Sequence, residues 1–287
     1  MKRGNVMINK GKLYLVATPI GNLEDITYRA IKVLESVDII AAEDTRHSLK
    51  LLNHLGISKP LISYHRHNED NKTDLLISKL INGEDIAVIT DAGTPAISDP
   101  GEEVVKEAIK NNIEIIPIPG ACALINALIC SGMNTKEFSF YGFLPLNKKL
   151  RKNKFEEIKK DKKTIIIYEA PHKINQTLND ILNEIGDVNI VIAREITKIH
   201  EEFIRGKVSD ICRNYTELKG EMIIIIEGNS NQDSEEDIKI LLNNMDLEQH
   251  YEYYKKQGLS KKDIIKKIAK DKNVNKNEIY MKLINFD

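Results

Sequence analysis

The 287-residue sequence holds no tryptophan, only three cysteines and no apolar run near the roughly 18 residues of a membrane-spanning helix. Cys122, Cys130 and Cys212 form no CxxC pair and no disulfide framework, so a reducing, cytoplasmic setting fits best. Met1-Lys2-Arg3-Gly4-Asn5 is not followed by an apolar h-region, and no secretory leader is expected. Neither a GxGxxG fingerprint nor a Walker loop is present, which removes support for a dinucleotide fold or a P-loop nucleotidase. His65-Arg66-His67 matches no strong zinc spacing and has no cysteine nearby, so no metal site is expected. Neither sign of charge dominates: the formal net charge of -1 argues against a uniformly basic nucleic-acid binder.

What is present is globular in balance, with 41% hydrophobic and 30% charged residues, and the chain is long enough for two domains. The charge is uneven. Residues 148–163 carry nine Lys or Arg against three acids, and residues 255–282 carry ten Lys against three. Each run reads equally as a basic surface for phosphates or as a solvated lysine-rich face.

Short apolar runs alternate with amphipathic segments. Strands are predicted at 13–17, 37–42, 86–90 and 113–118, and helices at 26–34, 45–55, 73–80 and 101–110. Apolar strands between helices imply a mainly parallel sheet covered on both faces. After a helix at 121–129, a second α/β unit has strands at 138–141, 164–168, 188–193 and 222–226 and a helix at 173–185. Residues 227–234 read as a polar linker, followed by helical pattern to the end. Ser260 and Asp263 suit a capping box, and a last helix is expected at 277–283. The tail is either helix-turn-helix-like or a small helical cap.

Ligands of open parallel sheets bind outside the carboxyl ends of the strands, so the turns that follow strands are the candidates. Thr18-Pro19-Ile20-Gly21-Asn22 is a tight, shaped loop. Glu43-Asp44-Thr45-Arg46-His47 gathers acids and a guanidinium; Asp44 or Thr45 can cap the next helix, but capping does not account for Glu43 and Arg46. The stretch from Thr90 to Gly101 holds two glycines, two prolines and two internal acids; Asp99 reads as a helix cap, which leaves Asp91-Ala92-Gly93 unexplained. In Pro119-Gly120-Ala121-Cys122, small residues open a helix, suiting either close helix–sheet packing or a ligand lying against the backbone. Tyr168-Glu169 ends a further strand, where Glu169 can cap the segment that follows.

Seven segments in order resemble the tetrapyrrole methylase superfamily, and more closely its branch of 16S ribosomal RNA cytidine 2′-O-methyltransferases. They are residues 13–23, 42–46 (Ala-Glu-Asp-Thr-Arg), 91–95 (Asp-Ala-Gly-Thr-Pro), 142–145, 168–169, 193–198 and 219–222. The resemblance spans about residues 11–228. It implies an α/β, two-domain tetrapyrrole-methylase-like fold with a small C-terminal helical element. The expected parts are an N-terminal α/β domain at 1–119, a second at 120–228 completing the cofactor cleft, and a linker and basic helical element at 229–287. S-adenosyl-L-methionine is the implied cofactor, 16S rRNA of the small ribosomal subunit the implied partner, and a homodimer the implied assembly. The implied cofactor side comprises Asp91, Ala92, Gly93, Thr94, Pro119, Gly120, Ala121, Cys122, Tyr168, Glu169, Glu221 and Met222. Glu43 or Asp44 is the candidate base and Arg46 the candidate substrate clamp. The first loop lacks the glycine-rich, acidic form of porphyrin-type relatives, which weighs against a tetrapyrrole acceptor. The alternatives are a methyltransferase for a tetrapyrrole or other small acceptor, and an inactive RNA-binding module.

Overall fold

In the computed structural model, residues 9–215, 217–228 and 242–283 are described, apart from the Asp70 side chain. The sequence start considered for a leader and the 229–234 part of the expected linker lie outside them. The chain divides into two compact units, residues 1–228 and 229–287.

The first unit holds two five-stranded sheets. Sheet 1 contains β1 (Leu13–Val16), β2 (Ile39–Ala42), β3 (Leu61–Ser63), β4 (Ile86–Ile89) and β5 (Ile115–Ile118), in the order β3-β2-β4-β1-β5. All its pairings are parallel. Alternation along β4 shows why both faces must be covered. Ile86 and Val88 join one apolar cluster with Leu76, Leu80 and Val104, from α3 (Glu69–Ile81) and α4 (Glu102–Lys110). Ala87 and Ile89 join another with Ala30, Leu34 and Leu52, from α1 (Tyr28–Ser36) and α2 (Thr45–His54). Parallel strands so covered bring all their carboxyl ends to one edge.

Sheet 2 contains β6 (Phe138–Phe143), β7 (Thr164–Glu169), β8 (Asn189–Arg194), β9 (Glu202–Lys207) and β10 (Met222–Ile226), in the order β6-β7-β10-β8-β9. Only β6 and β7 are parallel; β10 runs against both β7 and β8, and β9 against β8. One face packs on α6 (Lys148–Lys160), α7 (Ile174–Glu184) and α8 (Val208–Asn214) through residues such as Ile165, Ile167 and Ile224. The other face, through Ile166, Val191 and Ile223, meets the apolar helix α5 (Ala123–Ser131). Reversal of β10 has a consequence for the site: its first residue, Met222, pairs with Glu169 and Arg194 at the carboxyl ends of its neighbours.

In the second unit, α9 (Leu247–Lys256), α10 (Lys261–Asp271) and α11 (Lys276–Lys282) enclose their own core of Tyr251, Tyr254, Ile264, Ile268 and Ile279. Ser260 caps α10 by accepting the Asp263 N–H at 3.3 Å. Asp271 accepts the Tyr254 hydroxyl at 2.6 Å and lies 3.2 Å from Nε2 of the buried His250. Among the described residues, no helix is long and apolar enough to cross a membrane.

Candidate active site

The loop after β4 is stitched to the loops on both sides, which fixes the backbone before any ligand arrives. Thr18 and Gly93 exchange two backbone hydrogen bonds at 2.9 and 3.1 Å. The Thr94 hydroxyl donates to the Ala121 carbonyl at 3.0 Å, and Asp91 Oδ1 accepts the Asp44 N–H at 3.1 Å. Arg66, beyond β3, donates from Nη2 to the Ser98 carbonyl, while Glu69 accepts the Gly101 N–H at 2.9 Å. Two glycines permit the close approaches. Gly93 has φ +87, and a Cβ there would stand 3.2 Å from Ile20 Cγ2. A Cβ on Gly120 would stand 2.9 Å from Ala17 Cβ.

Across this edge, sheet 2 presents a loop built the same way. Glu221 N–H donates to Glu195 Oε1 at 3.1 Å, and Lys198 Nζ bridges Glu195 and Glu221 at 3.1 and 3.2 Å. Thr197 donates to Asp25, which ties the two sheets' loops together. Each loop holds an isoleucine between two non-glycine residues in the left-handed region. Ile97 lies between Ala96 and Ser98 (φ 66 and 65), and Ile196 between Glu195 and Thr197 (φ 52 and 67). Such conformations cost about 1–3 kcal/mol each and persist where the surroundings over-determine them.

Between the loops lies a cavity of about 450 Å³, lined by both isoleucines and within the range of small-molecule sites. Of the residues singled out from sequence, Glu43, Asp91, Ala92, Gly93, Thr94, Cys122, Tyr168, Glu169, Glu221 and Met222 line it. Pro119, Gly120 and Ala121 do not. They support the wall from behind, Ala121 through its bond to Thr94 and Gly120 through its approach to Ala17. Asp44 and Arg46 also lie off the lining. Asp44 caps α2 by accepting the Arg46 N–H at 2.8 Å and pairs with the Arg46 guanidinium at 2.9 Å. Bonding to Arg46 holds the Asp44 carboxyl down at about 2, so it is a weak base.

Glu43 behaves differently from its neighbour. Burial and then the Asp91 charge raise its pKa, against the pull of the Asp91 N–H, Arg66 and His65. Glu169 is buried, and its carboxylate accepts the Ala170 N–H at 2.8 Å and the Thr177 hydroxyl. Thr177 in turn accepts from the buried Arg151 at 2.7 Å, so Glu169 fixes the turn after β7. The Tyr168 phenol faces the Leu124 N–H in the first turn of α5, and burial pushes its pKa up to about 12. No side chain caps that helix, so its positive end opens beside Cys122 and Ala123 on the lining.

Sequence reading missed Ile97, Ser98, Asp99, Phe143, Ala170 and Ile196 on the lining. Asp99 is a correction: Gly101, at φ 141, occupies the N-cap position of α4, and no side chain caps it. Asp99 faces the cavity instead, where burial first and then Glu43 raise its pKa to about 6. The sequence did carry a clue. A helix that starts after Gly101 leaves Asp99 two residues upstream of the cap.

The cavity therefore has an acidic pole at Glu43, Asp91 and Asp99, a helix N-terminus at Cys122–Ala123, and apolar walls from Ile20, Phe143, Ala193, Met222 and Ile223. That combination suits a ligand with a cationic group, a carboxylate and a flat apolar part.

The tetrapyrrole (corrin/porphyrin) methylases match residues 12–212. Ribosomal RNA small subunit methyltransferase I of Halalkalibacterium halodurans is 48% identical over 274 residues, covering 95% of this chain and 94% of its own. The protein of the same name in Bacillus subtilis is 45% identical over 272 residues, covering 94% and 93%. Among solved structures, diphthine synthase is similar with a TM-score of 0.60 at 12% identity, over 75% of this chain and 90% of its own. Uroporphyrin-III-C-methyltransferase from Thermus thermophilus follows with a TM-score of 0.52 at 18% identity, over 75% and 94%. At those identities the two structures speak to the fold alone.

Proposed function

This chain belongs to the tetrapyrrole methylase family, and from that premise we propose that it methylates a cytidine ribose 2′-oxygen in 16S rRNA, using S-adenosyl-L-methionine. The observation that carries the reading is the two-poled cavity at the strand ends, in a chain similar along 94–95% of its length to small-subunit rRNA methyltransferases.

The residues present fit the cofactor. Its sulfonium and ammonium suit the acidic pole, its carboxylate the uncapped start of α5, and its adenine the apolar walls. Asp91, Ala92, Gly93 and Thr94 would hold it from sheet 1, and Tyr168, Glu221 and Met222 from sheet 2, with Glu169 fixing the turn beside them. Bound there, it supplies an electrophilic methyl group on a positively charged sulfur. The chain's own contribution is to orient the acceptor and manage a proton. A hydroxyl is a poor nucleophile, so an acid of the cavity wall, Glu43 among them, accepts its proton. Arg46, whose side chain is 89% exposed, is placed to meet a phosphate of the substrate. RNA is required because DNA lacks the 2′-hydroxyl. The exposed lysines of α6 and of the second unit would bind the surrounding phosphates, in the cytoplasm where subunits are made. A homodimer is part of the reading. It is supported by Ile125 and Ile129, which leave 42% and 62% of their surface exposed on the outer side of α5.

Small ribosomal subunits that lack the modification, incubated with the protein and labelled cofactor, should take up methyl groups. Nucleoside mass spectrometry should then yield 2′-O-methylcytidine. A base-methylated nucleoside would overturn the ribose reading, and transfer to a tetrapyrrole alone would overturn the rRNA reading.

A further inference from the structure

The three acids on one wall of the cavity are separated by what they meet. Asp91 Oδ1 holds the Asp44 N–H at 3.1 Å, joining the loops after β4 and β2. The Asp91 carboxylate is thus engaged in keeping the wall together. Glu43 lies beside Asp91 on the lining, and its neighbours Asp91, Arg66 and His65 all belong to the sheet 1 side. Asp99 makes no hydrogen bond among the described residues, and α4 starts without its help. Its carboxylate is half-buried on the lining and interacts with Glu43, Asp91 and the Arg66 guanidinium on its own side and with the Tyr168 phenol across the cavity.

We infer that Asp99 is the group that accepts the proton of the acceptor hydroxyl, with Arg66, held on the Ser98 carbonyl, as the neighbouring cation. The inference rests on the hydroxyl-methylation reading above. In the step, the bond from ribose oxygen to methyl carbon forms while the bond from that carbon to sulfur breaks, its electron pair remaining on sulfur. The hydroxyl proton passes to an Asp99 oxygen, and the neutral carboxyl then gives it to water at the open side of the cavity.

The surroundings tune Asp99 for this task. Burial and then Glu43 make the charged form unfavourable, Arg66 opposes them, and Asp91 adds to the rise, with the pKa reaching about 6. A base whose pKa lies close below the working pH is both ionised and able to take a proton. Glu43 is likewise without a side-chain hydrogen-bond partner among the described residues, but its neighbours Asp91, Arg66 and His65 all lie on the sheet 1 side, whereas Asp99 also meets the Tyr168 phenol across the cavity.

The test is single-turnover methyl transfer to small subunits lacking the modification, followed from about pH 5 to about pH 9 for wild type and Asp99→Asn. Wild type should gain rate with pH through an inflection near 6. D99N should lose about 10²- to 10⁴-fold in rate at alkaline pH and lose the inflection. Its affinity for S-adenosylhomocysteine by calorimetry should fall far less than its rate, the rate deficit should persist at saturating cofactor, and Asp99→Glu should recover part of the rate. Three outcomes overturn the assignment: a D99N rate near wild type, a deficit erased by saturating cofactor, or an inflection that survives in the variant. Should circular dichroism show D99N unfolded, the wild-type profile decides, and a rate flat through pH 6 overturns the assignment. The wild-type product is analysed alongside. A base-methylated nucleoside would remove the hydroxyl reading and this inference with it, whereas a 2′-O product with a fully active D99N would remove the inference alone.

Discussion

Sheet 1 reaches the cavity through the carboxyl ends of parallel strands, while sheet 2 reaches it through the ends of β7 and β8 and the beginning of the reversed β10. The difference decides what each contributes. Loops after parallel strands lead into helix N-termini, where unpaired N–H groups and their acidic partners concentrate, and sheet 1 supplies Glu43, Asp91, Asp99 and the start of α5. Around β10, sheet 2 brings side chains from one apolar face to the rim, and it supplies Tyr168, Ala193 and Ile223. Chemistry should therefore be sensitive to changes on the first side, and affinity or stability to changes on the second.

The largest effect expected from this contrast is at Gly93. Valine there would have to adopt φ +87 and bring its Cβ to 3.2 Å from Ile20 and 3.7 Å from the Ala121 carbonyl. Gly93→Val should abolish methyl transfer, with a loss of about 10³-fold or more, because the wall moves by more than a near-attack geometry tolerates. Circular dichroism should show the same secondary structure as wild type. A folded variant with substantial activity would show that this wall does not hold the reacting groups.

On the sheet 2 side, α6 carries exposed Lys148, Lys149 and Lys152. Replacing all three with Ala should weaken binding to small subunits by about tenfold at physiological salt and flatten the slope of log K against log salt by about 2. The single-turnover rate at saturating subunit should hold. An unchanged slope would take α6 out of the RNA-binding surface. A smaller loss is expected at Thr177, which bridges Arg151 and Glu169 in the interior. Thr177→Val keeps the shape but leaves both partners short of a bond, at about 1–3 kcal/mol of stability. The KM for cofactor should rise several-fold as the turn after β7 loosens, with kcat little changed. If kcat fell instead, sheet 2 would share in the chemistry and the contrast would fail.

Residue pattern exposed the two sheets unequally for the same physical reason. Strands such as Ile86–Ile89, buried on both faces, are continuous apolar runs that nothing else explains. The helix α6 escaped notice because only Arg151, Phe155 and Ile158 of its thirteen residues are buried, a narrow stripe hidden among lysines. Strand β9 has a single buried side chain, Ile204, at the sheet edge, and the short α8 that follows it is equally faint. The short strand β3 was also unread, the tyrosine-rich α9 was expected as helix but given no bounds, and the antiparallel course of β10 has no local signature. At the site, the rule that ligands gather at strand ends pointed to the loops that line the cavity. It did not resolve neighbours within a loop. Asp99 was taken for a cap, and the left-handed Ala96, Ser98, Glu195 and Thr197 belong to residue types that give no warning of positive φ.

The adjacent acids Glu43 and Asp44 make that limit concrete and give the smallest effect expected. By sequence they are interchangeable, and both were candidate bases. In the fold, Glu43 lies on the cavity lining with its pKa raised, whereas Asp44 is turned outward and bound to Arg46. Asparagine caps helices about as well as aspartate, so Asp44→Asn should keep α2 intact. It removes the low-lying charge but no group from the cavity. Methyl transfer by D44N should stay within about twofold of wild type at all pH values, because a carboxylate near pKa 2 holds no proton to exchange in that range. A large loss in single-turnover rate, with cofactor binding intact, would put the chemistry on the outer face of the loop and reverse the assignment of the two neighbours.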